Sequence, residues 1–111
     1  MRVISFSETT EQIRSRTKTV TRRAGWLKLK PGDRLRAVVK AMGLKKGEHV
    51  EDLALIEVVS VRREPVCAIT REDVVLEGFP EWWPLDFIDL YCRINGCDAD
   101  AECTRIEFRY L

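Results

Sequence analysis

Leu53-Ala54-Leu55-Ile56-Glu57-Val58-Val59-Ser60-Val61-Arg62-Arg63 is the stretch on which the fold turns. It is rich in β-branched residues and holds neither glycine nor proline, which suits a pleated strand. Leu53, Leu55, Glu57, Val59 and Val61 make one alternating set, and Ala54, Ile56, Val58, Ser60 and Arg62 the other. Both sets are mainly apolar, so the strand is expected to be central and covered on both faces.

Toward the C-terminus, Thr70-Arg71-Glu72-Asp73 has the form of a capping box with Asp in the usual place of Glu, and opens a short helix. Gly78 is suited to end that helix in a left-handed cap, and Pro84 to begin another that runs to about Arg93. Trp82 and Trp83 are expected to pack at the joint of the two helices, with at least one ring largely buried. The tail from Thr104 to Leu111 alternates, with Ile106, Phe108 and Tyr110 facing inward and Arg105, Glu107 and Arg109 outward. Toward the N-terminus, the turn Lys30-Pro31-Gly32-Asp33 leads into a strand over Arg34 to Val39, followed by a loop between Gly43 and Gly47. Val3-Ile4-Ser5-Phe6 reads as a short strand, and Ser7 as the cap of a helix over residues 8–16. Glu8 and Glu11 sit near that helix's positive end, Arg14 and Arg16 near its negative end. Lys18 to Arg23, rich in Thr and Val and without helical period, is expected to be extended or a strand edge. Short strands, turns and inserted helices predict an α+β fold: a small mixed β-barrel with two or three short helices, residues 1–111 forming one domain.

The chain has 111 residues, 45% hydrophobic and 33% charged, an ordinary globular composition with no low-complexity tract. No run approaches the ~18 apolar residues of a membrane span, and the N-terminus lacks a signal-peptide core. A cytoplasmic location and no membrane partner are therefore expected, with a monomer as the default. The net charge of +1 conceals an asymmetry: residues 1–36 hold ten Lys/Arg and three Asp/Glu, and residues 37–111 hold nine and fifteen. A basic N-terminal part suggests a polyanion site, unless the two parts neutralise each other across the fold. Cys67, Cys92, Cys97 and Cys103 form no CxxC pair, and the one histidine is His49. That spacing fits no common zinc finger or ribbon, so reduced thiols, no metal and no cofactor are expected.

Several segments together resemble the ASCH domain. They are Ile4-Ser5-Phe6 and Ile13, the basic stretch Lys18-Thr19-Val20-Thr21-Arg22-Arg23, the turn Lys30-Pro31-Gly32-Asp33, and Glu64-Pro65 before Ile69-Thr70-Arg71-Glu72-Asp73. Glu77-Gly78-Phe79 and the closing Arg105-Ile106-Glu107-Phe108 complete the series in the family's order. A glycine usual in that family before the basic motif is absent, its place taken by Ser15-Arg16-Thr17. The resemblance implies a PUA-like barrel, a cleft beside the basic motif and RNA-related roles. Similar proteins include small amidohydrolases that deacetylate N(4)-acetylcytidine. What they imply here is Lys18 as general base, Thr21 as nucleophile and Glu77 as general acid.

The chemistry sets its own demands. A threonine hydroxyl needs a neighbouring base, and lysine serves only if burial or nearby cations lower its pKa. Arg16, Arg22 and Arg23 are candidate cations. Residues three apart in a strand face opposite ways, so Lys18 and Thr21 meet only across a bend. Lys18, Thr19, Arg22, Arg23 and Trp26 are the candidate ligand contacts, the arginines for phosphate and the indole for base stacking. The same residues admit plainer readings: Thr19 and Thr21 as edge-strand residues, Glu77 as the salt-bridge partner of Lys18, Trp26 as packing. Three functions stay open: binding of RNA or a modified nucleoside, an amidohydrolase of acylated nucleosides, and a metal-independent ribonuclease.

Overall fold

The computed structural model describes residues 1–111. The chain runs β1 (Val3–Ser5), α1 (Thr10–Arg14), β2 (Val20–Arg23), β3 (Arg34–Val38), β4 (Asp52–Pro65), a 3-10 turn (Val66–Ala68), α2 (Arg71–Leu76), α3 (Pro84–Asn95) and β5 (Glu102–Tyr110). The strands form one five-stranded sheet in the order β1-β3-β4-β5-β2, antiparallel except for the parallel pair β1–β3. The apolar stretch at Leu53 is thus central, between β3 and β5. The sheet curls until its two edges approach, and a side chain spans the remaining seam: Arg23 Nη2, on β2, donates to the Ser5 carbonyl of β1 at 2.6 Å. No helix is long and apolar enough to cross a membrane.

Inside the curl lie Ile4, Phe6, Ile13, Leu29, Leu35, Ala37, Ile56, Val58, Ile106 and Phe108, a core drawn from four strands and α1. A smaller cluster of Val66, Ile69, Val74, Phe87, Tyr91 and Cys103 holds α2 and α3 to the 3-10 turn and β5. β4 is not covered on both faces, contrary to its two apolar sets. Ile56 and Val58 are sealed, but Leu55 and Val59 are exposed at 36% and 43%. A β-bulge is the reason the alternation misleads: between Val58 and Ser60 the register with β5 shifts by one residue. The extra residue reverses the parity, so Val61 packs on the same core as Val58.

Two helix ends prepare the site. α1 is shorter than the expected 8–16, and Ser7 does not cap it; Thr9 stands at the N-cap without a side-chain bond, and Thr10 Oγ1 donates to the Phe6 carbonyl instead. α1 stops where Arg16 takes a left-handed φ of 61°. The amides of Arg16 and Thr17 then return to the carbonyls of Ile13 and Gln12, a Schellman turn built without glycine. α2 starts at Thr70, whose hydroxyl accepts from the Asp73 amide. It ends in a second Schellman turn, with Gly78 at φ 103° and the Gly78 and Phe79 amides returning to Val75 and Val74. The expected cap at Gly78 is therefore present, and only the amide half of the Thr70 box forms.

The joint after α2 is closed by Trp82, half-buried and stacked on Phe79 at 4.1 Å. Trp83 is exposed at 63% under the Arg71 guanidinium, so neither indole is fully buried. In α3, Pro84 occupies the first turn and the Asp86 carboxylate accepts from the Trp83 amide at 2.8 Å.

Candidate functional site

The two Schellman turns abut, and this brings together residues 59 positions apart. Gln12 is the link: its carbonyl accepts from the amides of Thr17 and Lys18, while its Nε2 donates to the Gly78 carbonyl at 3.3 Å. The Thr19 amide then caps α2 through the Leu76 carbonyl. Lys18 is left pointing at the end of α2, where Nζ donates to Glu77 Oε1 at 2.7 Å and to the Glu77 carbonyl at 2.8 Å. Lys18 and Glu77 are exposed at 3% and 1%. Two bare charges could not persist at such burial, and each is the other's counter-ion.

Thr21 comes to the same place because Lys18 precedes β2. The strand begins at Val20, so the irregular segment ahead of it supplies the bend that alternation alone would forbid. Thr21 and Arg23, two apart, share one face, and Arg23 Nε donates to Thr21 Oγ1 at 3.1 Å. Arg22, on the other face, donates to Glu77 Oε2 at 3.1 Å, Asp73 Oδ2 at 2.6 Å and Glu64 Oε2 at 3.0 Å. Arg105 completes the network with two bonds to Asp73. Arg105 is thus buried, not solvent-facing as its alternation implied, because a buried carboxylate waits for it.

A cleft of about 260 Å³ opens above these groups, in the seam between β1 and β2. Lys18, Thr21, Arg22, Arg23 and Glu77 line its polar side with Ser5, Ser7, Glu8 and Thr9. The opposite wall is apolar: Phe6, Phe79 and the face of α3 that carries Phe87, Leu90, Tyr91 and Ile94. Its size falls just short of the roughly 300–1,000 Å³ of sites for drug-sized ligands.

Electrostatics follow from burial. Desolvation lowers the Lys18 pKa; Arg23 and Arg22 push the same way and Glu77 opposes them. Burial also brings Arg23 down to about 10, which leaves it charged at neutral pH. For Asp73 burial pulls upward, but the bonds from Arg105 and Arg22 prevail and hold it at about 2. Desolvation lifts the Cys103 thiol to about 11 and the Tyr91 hydroxyl to about 12. The four cysteines are unpaired, and no three metal-ligating side chains converge.

Lys18, Thr21, Arg22, Arg23 and Glu77 therefore meet at one cleft, while Thr19 and Trp26 lie outside it. Thr19 is consumed by backbone bonds to Leu76 and Phe108. Trp26, at φ 61°, packs on the main core beneath Arg2. The aromatic rings in the cleft are Phe6, Phe79, Phe87 and Tyr91. The spacing of Phe87, Leu90, Tyr91 and Ile94 is the sequence signal that could have found the α3 wall. Half of the ten cations in residues 1–36 pair with carboxylates of residues 37–111. Arg14 meets Glu51, Lys18 meets Glu77, Arg34 meets Glu57, Arg36 meets Asp52, and Arg22 meets three carboxylates.

The curled five-stranded sheet and its helices recur in solved structures of low sequence identity. Protein EF3133 from Enterococcus faecalis V583, assigned to DUF984, superposes with a TM-score of 0.73 at 14% identity, over 99% of this chain and 79% of its own. Hypothetical protein PH0355 gives 0.69 at 14%, over 99% and 97%. An ASCH domain from Lactobacillus crispatus JV V101 gives 0.61 at 15%, over 98% and 78%. The sequence matches no protein-family model and no curated protein. The fold of this chain is that of an ASCH domain.

Proposed function

We propose that the chain is an amidohydrolase that removes an acyl group from the amino nitrogen of a nucleoside-sized substrate. One observation carries the reading: Lys18 Nζ and Glu77 Oε1 meet at 2.7 Å, sealed from water, on the polar side of a cleft that Thr21 also lines. The ion pair and its neutral tautomer, Lys18 amine with Glu77 carboxylic acid, contain the same protons. Moving one proton across the contact turns a counter-ion pair into a base and an acid. Arg22 on Glu77 Oε2 favours the charged form at rest. A substrate that expels water from the cleft favours the neutral one.

In that form Lys18 takes the Thr21 hydroxyl proton as Oγ1 adds to the acyl carbon, and Glu77 protonates the departing amine. Water then adds to the Thr21 ester and releases the acid, regenerating the hydroxyl. The aromatic side of the cleft suits a planar base. The resemblance to N(4)-acetylcytidine deacetylases makes acetylated cytidine the first substrate to try.

Purified protein incubated with N(4)-acetylcytidine is expected to release cytidine and acetate, followed by chromatography. Thr21→Ala should lower kcat at least about 10³-fold with the fold retained. Unchanged substrate at high protein concentration refutes the proposal. A second reading, recognition of a modified nucleoside in RNA without turnover, draws on Arg23, which has no carboxylate partner. It predicts saturable, salt-dependent binding of RNA, weakened by Arg23→Ala, with no product.

A further inference from the structure

Arg23, half-buried, stands apart from the buried cations Lys18, Arg22 and Arg105. Arg22 spends its charge on Glu77, Asp73 and Glu64, Arg105 on Asp73, and Lys18 on Glu77. Arg23 forms no ion pair at all. Its Nε is on Thr21 Oγ1 at 3.1 Å, its Nη2 is on the Ser5 carbonyl at 2.6 Å, and its guanidinium carbon lies 4.9 Å from the Phe6 ring centre. These contacts fix the plane of the fork across the seam of the barrel. Nη1 donates to nothing in the protein, and it is not sealed away, for Arg22 Nε is the one buried side-chain nitrogen or oxygen without a partner. A fixed, charged guanidinium with one open donor lies in the lining of the cleft, beside a hydroxyl.

We propose that Arg23 binds the acyl oxygen of the substrate and carries its negative charge while Thr21 adds to the acyl carbon. This rests on the amidohydrolase reading and assigns it an oxyanion residue. When Thr21 Oγ1 bonds to the acyl carbon, the carbonyl π pair moves to oxygen and the hydroxyl proton moves to Lys18. That oxygen is then one bond angle away from Oγ1, within the span of the guanidinium already bonded to it. The Nε bond leaves the Thr21 proton free to leave and steadies the oxygen once it has gone. On collapse the carbonyl re-forms, the carbon–nitrogen bond breaks and the amine takes the proton from Glu77. Hydrolysis of the ester passes through a second oxyanion at the same donor. A preformed donor in a water-poor site acts on the developing charge far more than on the resting carbonyl, so its loss falls mainly on kcat.

The test compares wild type, Arg23→Gln and Arg23→Lys, with kcat and KM for N(4)-acetylcytidine and with calorimetric binding of N(4)-acetylcytidine against cytidine. Arg23→Gln should reduce kcat about 10²- to 10³-fold with KM changed by only a few fold, and Arg23→Lys should recover part of kcat. Circular dichroism and the melting temperature separate this from unfolding. An active wild type with Arg23→Gln within about 3-fold in kcat overturns the assignment and leaves the amidohydrolase intact. A wild type that binds the acetylated nucleoside more tightly than cytidine without cleaving it, a preference lost in Arg23→Gln, keeps Arg23 as the acyl-oxygen contact and removes the hydrolase. A wild type that neither binds nor cleaves overturns both.

Discussion

Asp73→Asn tests the buried network that backs the cleft. Asp73 accepts from Arg22 at 2.6 Å and from Arg105 at 2.6 and 3.0 Å, and the Arg105 side chain, 9% exposed, has no other carboxylate. The amide keeps the shape but removes the charge, leaving two arginines facing each other with one uncompensated. Breaking a buried pair in this way costs about 3–5 kcal/mol. Arg22 keeps Glu77 and Glu64, so the low end, about 3 kcal/mol, is expected. At a urea slope of about 1.5 kcal/mol per molar, the unfolding midpoint drops by about 2 M. Acid adds a second readout. The folded pKa of Asp73, about 2, lies below its ordinary 3.8, so its contribution is complete above the unfolded value and is lost as pH falls through the folded one. The shift corresponds to about 2 kcal/mol, reduced to roughly 1–2 by water at the rim. Between pH 4 and 2 the wild type should therefore lose that much more stability than Asp73→Asn. A midpoint change worth under about 1 kcal/mol, or equal acid slopes for both proteins, would refute the reasoning.

Gly78→Ala should cost at least about 2 kcal/mol in urea melts and lower activity as well, since a Cβ there lies 2.7 Å from Gln12 Cγ and φ is 103°. Displacing Gln12 also displaces the contact that sets Lys18 against Glu77. Thr70→Ala should cost about 1 kcal/mol through the lost cap, with kcat unchanged. Trp26→Ala should destabilise by about 3 kcal/mol yet leave KM for the acetylated nucleoside within two-fold; a large KM increase would restore Trp26 to the cleft.

What was legible at the site, and what was not, divides by range. The lysine, the threonine and the glutamate were visible as residue types in a recognisable order. Their convergence was not, because it depends on two helix ends meeting through Gln12, a residue with no local signature. Asp73 shows the same limit from the other side. Local spacing placed it in a capping box, and its amide does bond Thr70, yet its carboxylate turns to Arg22 and Arg105, which lie 51 and 32 positions away. A buried pair of arginines outcompetes a single exposed backbone amide for a carboxylate.

By itself the chain determined what neighbouring residues decide between themselves: the pleat of Leu53 to Arg63, the turn at Pro31-Gly32, the left-handed stop at Gly78, the helix start at Pro84. Those follow from backbone sterics and short-range hydrogen bonds, which need nothing distant. Tertiary structure alone decided which face of β4 meets water, that Arg16 would stand in for a glycine, and that Trp26 would pack away from the cleft. It also decided that half of the ten N-terminal cations would be spent on carboxylates from the far part of the chain. Burial and charge pairing are sums over the whole molecule, and their sign at any residue is set only when the sheet has curled and its seam has formed.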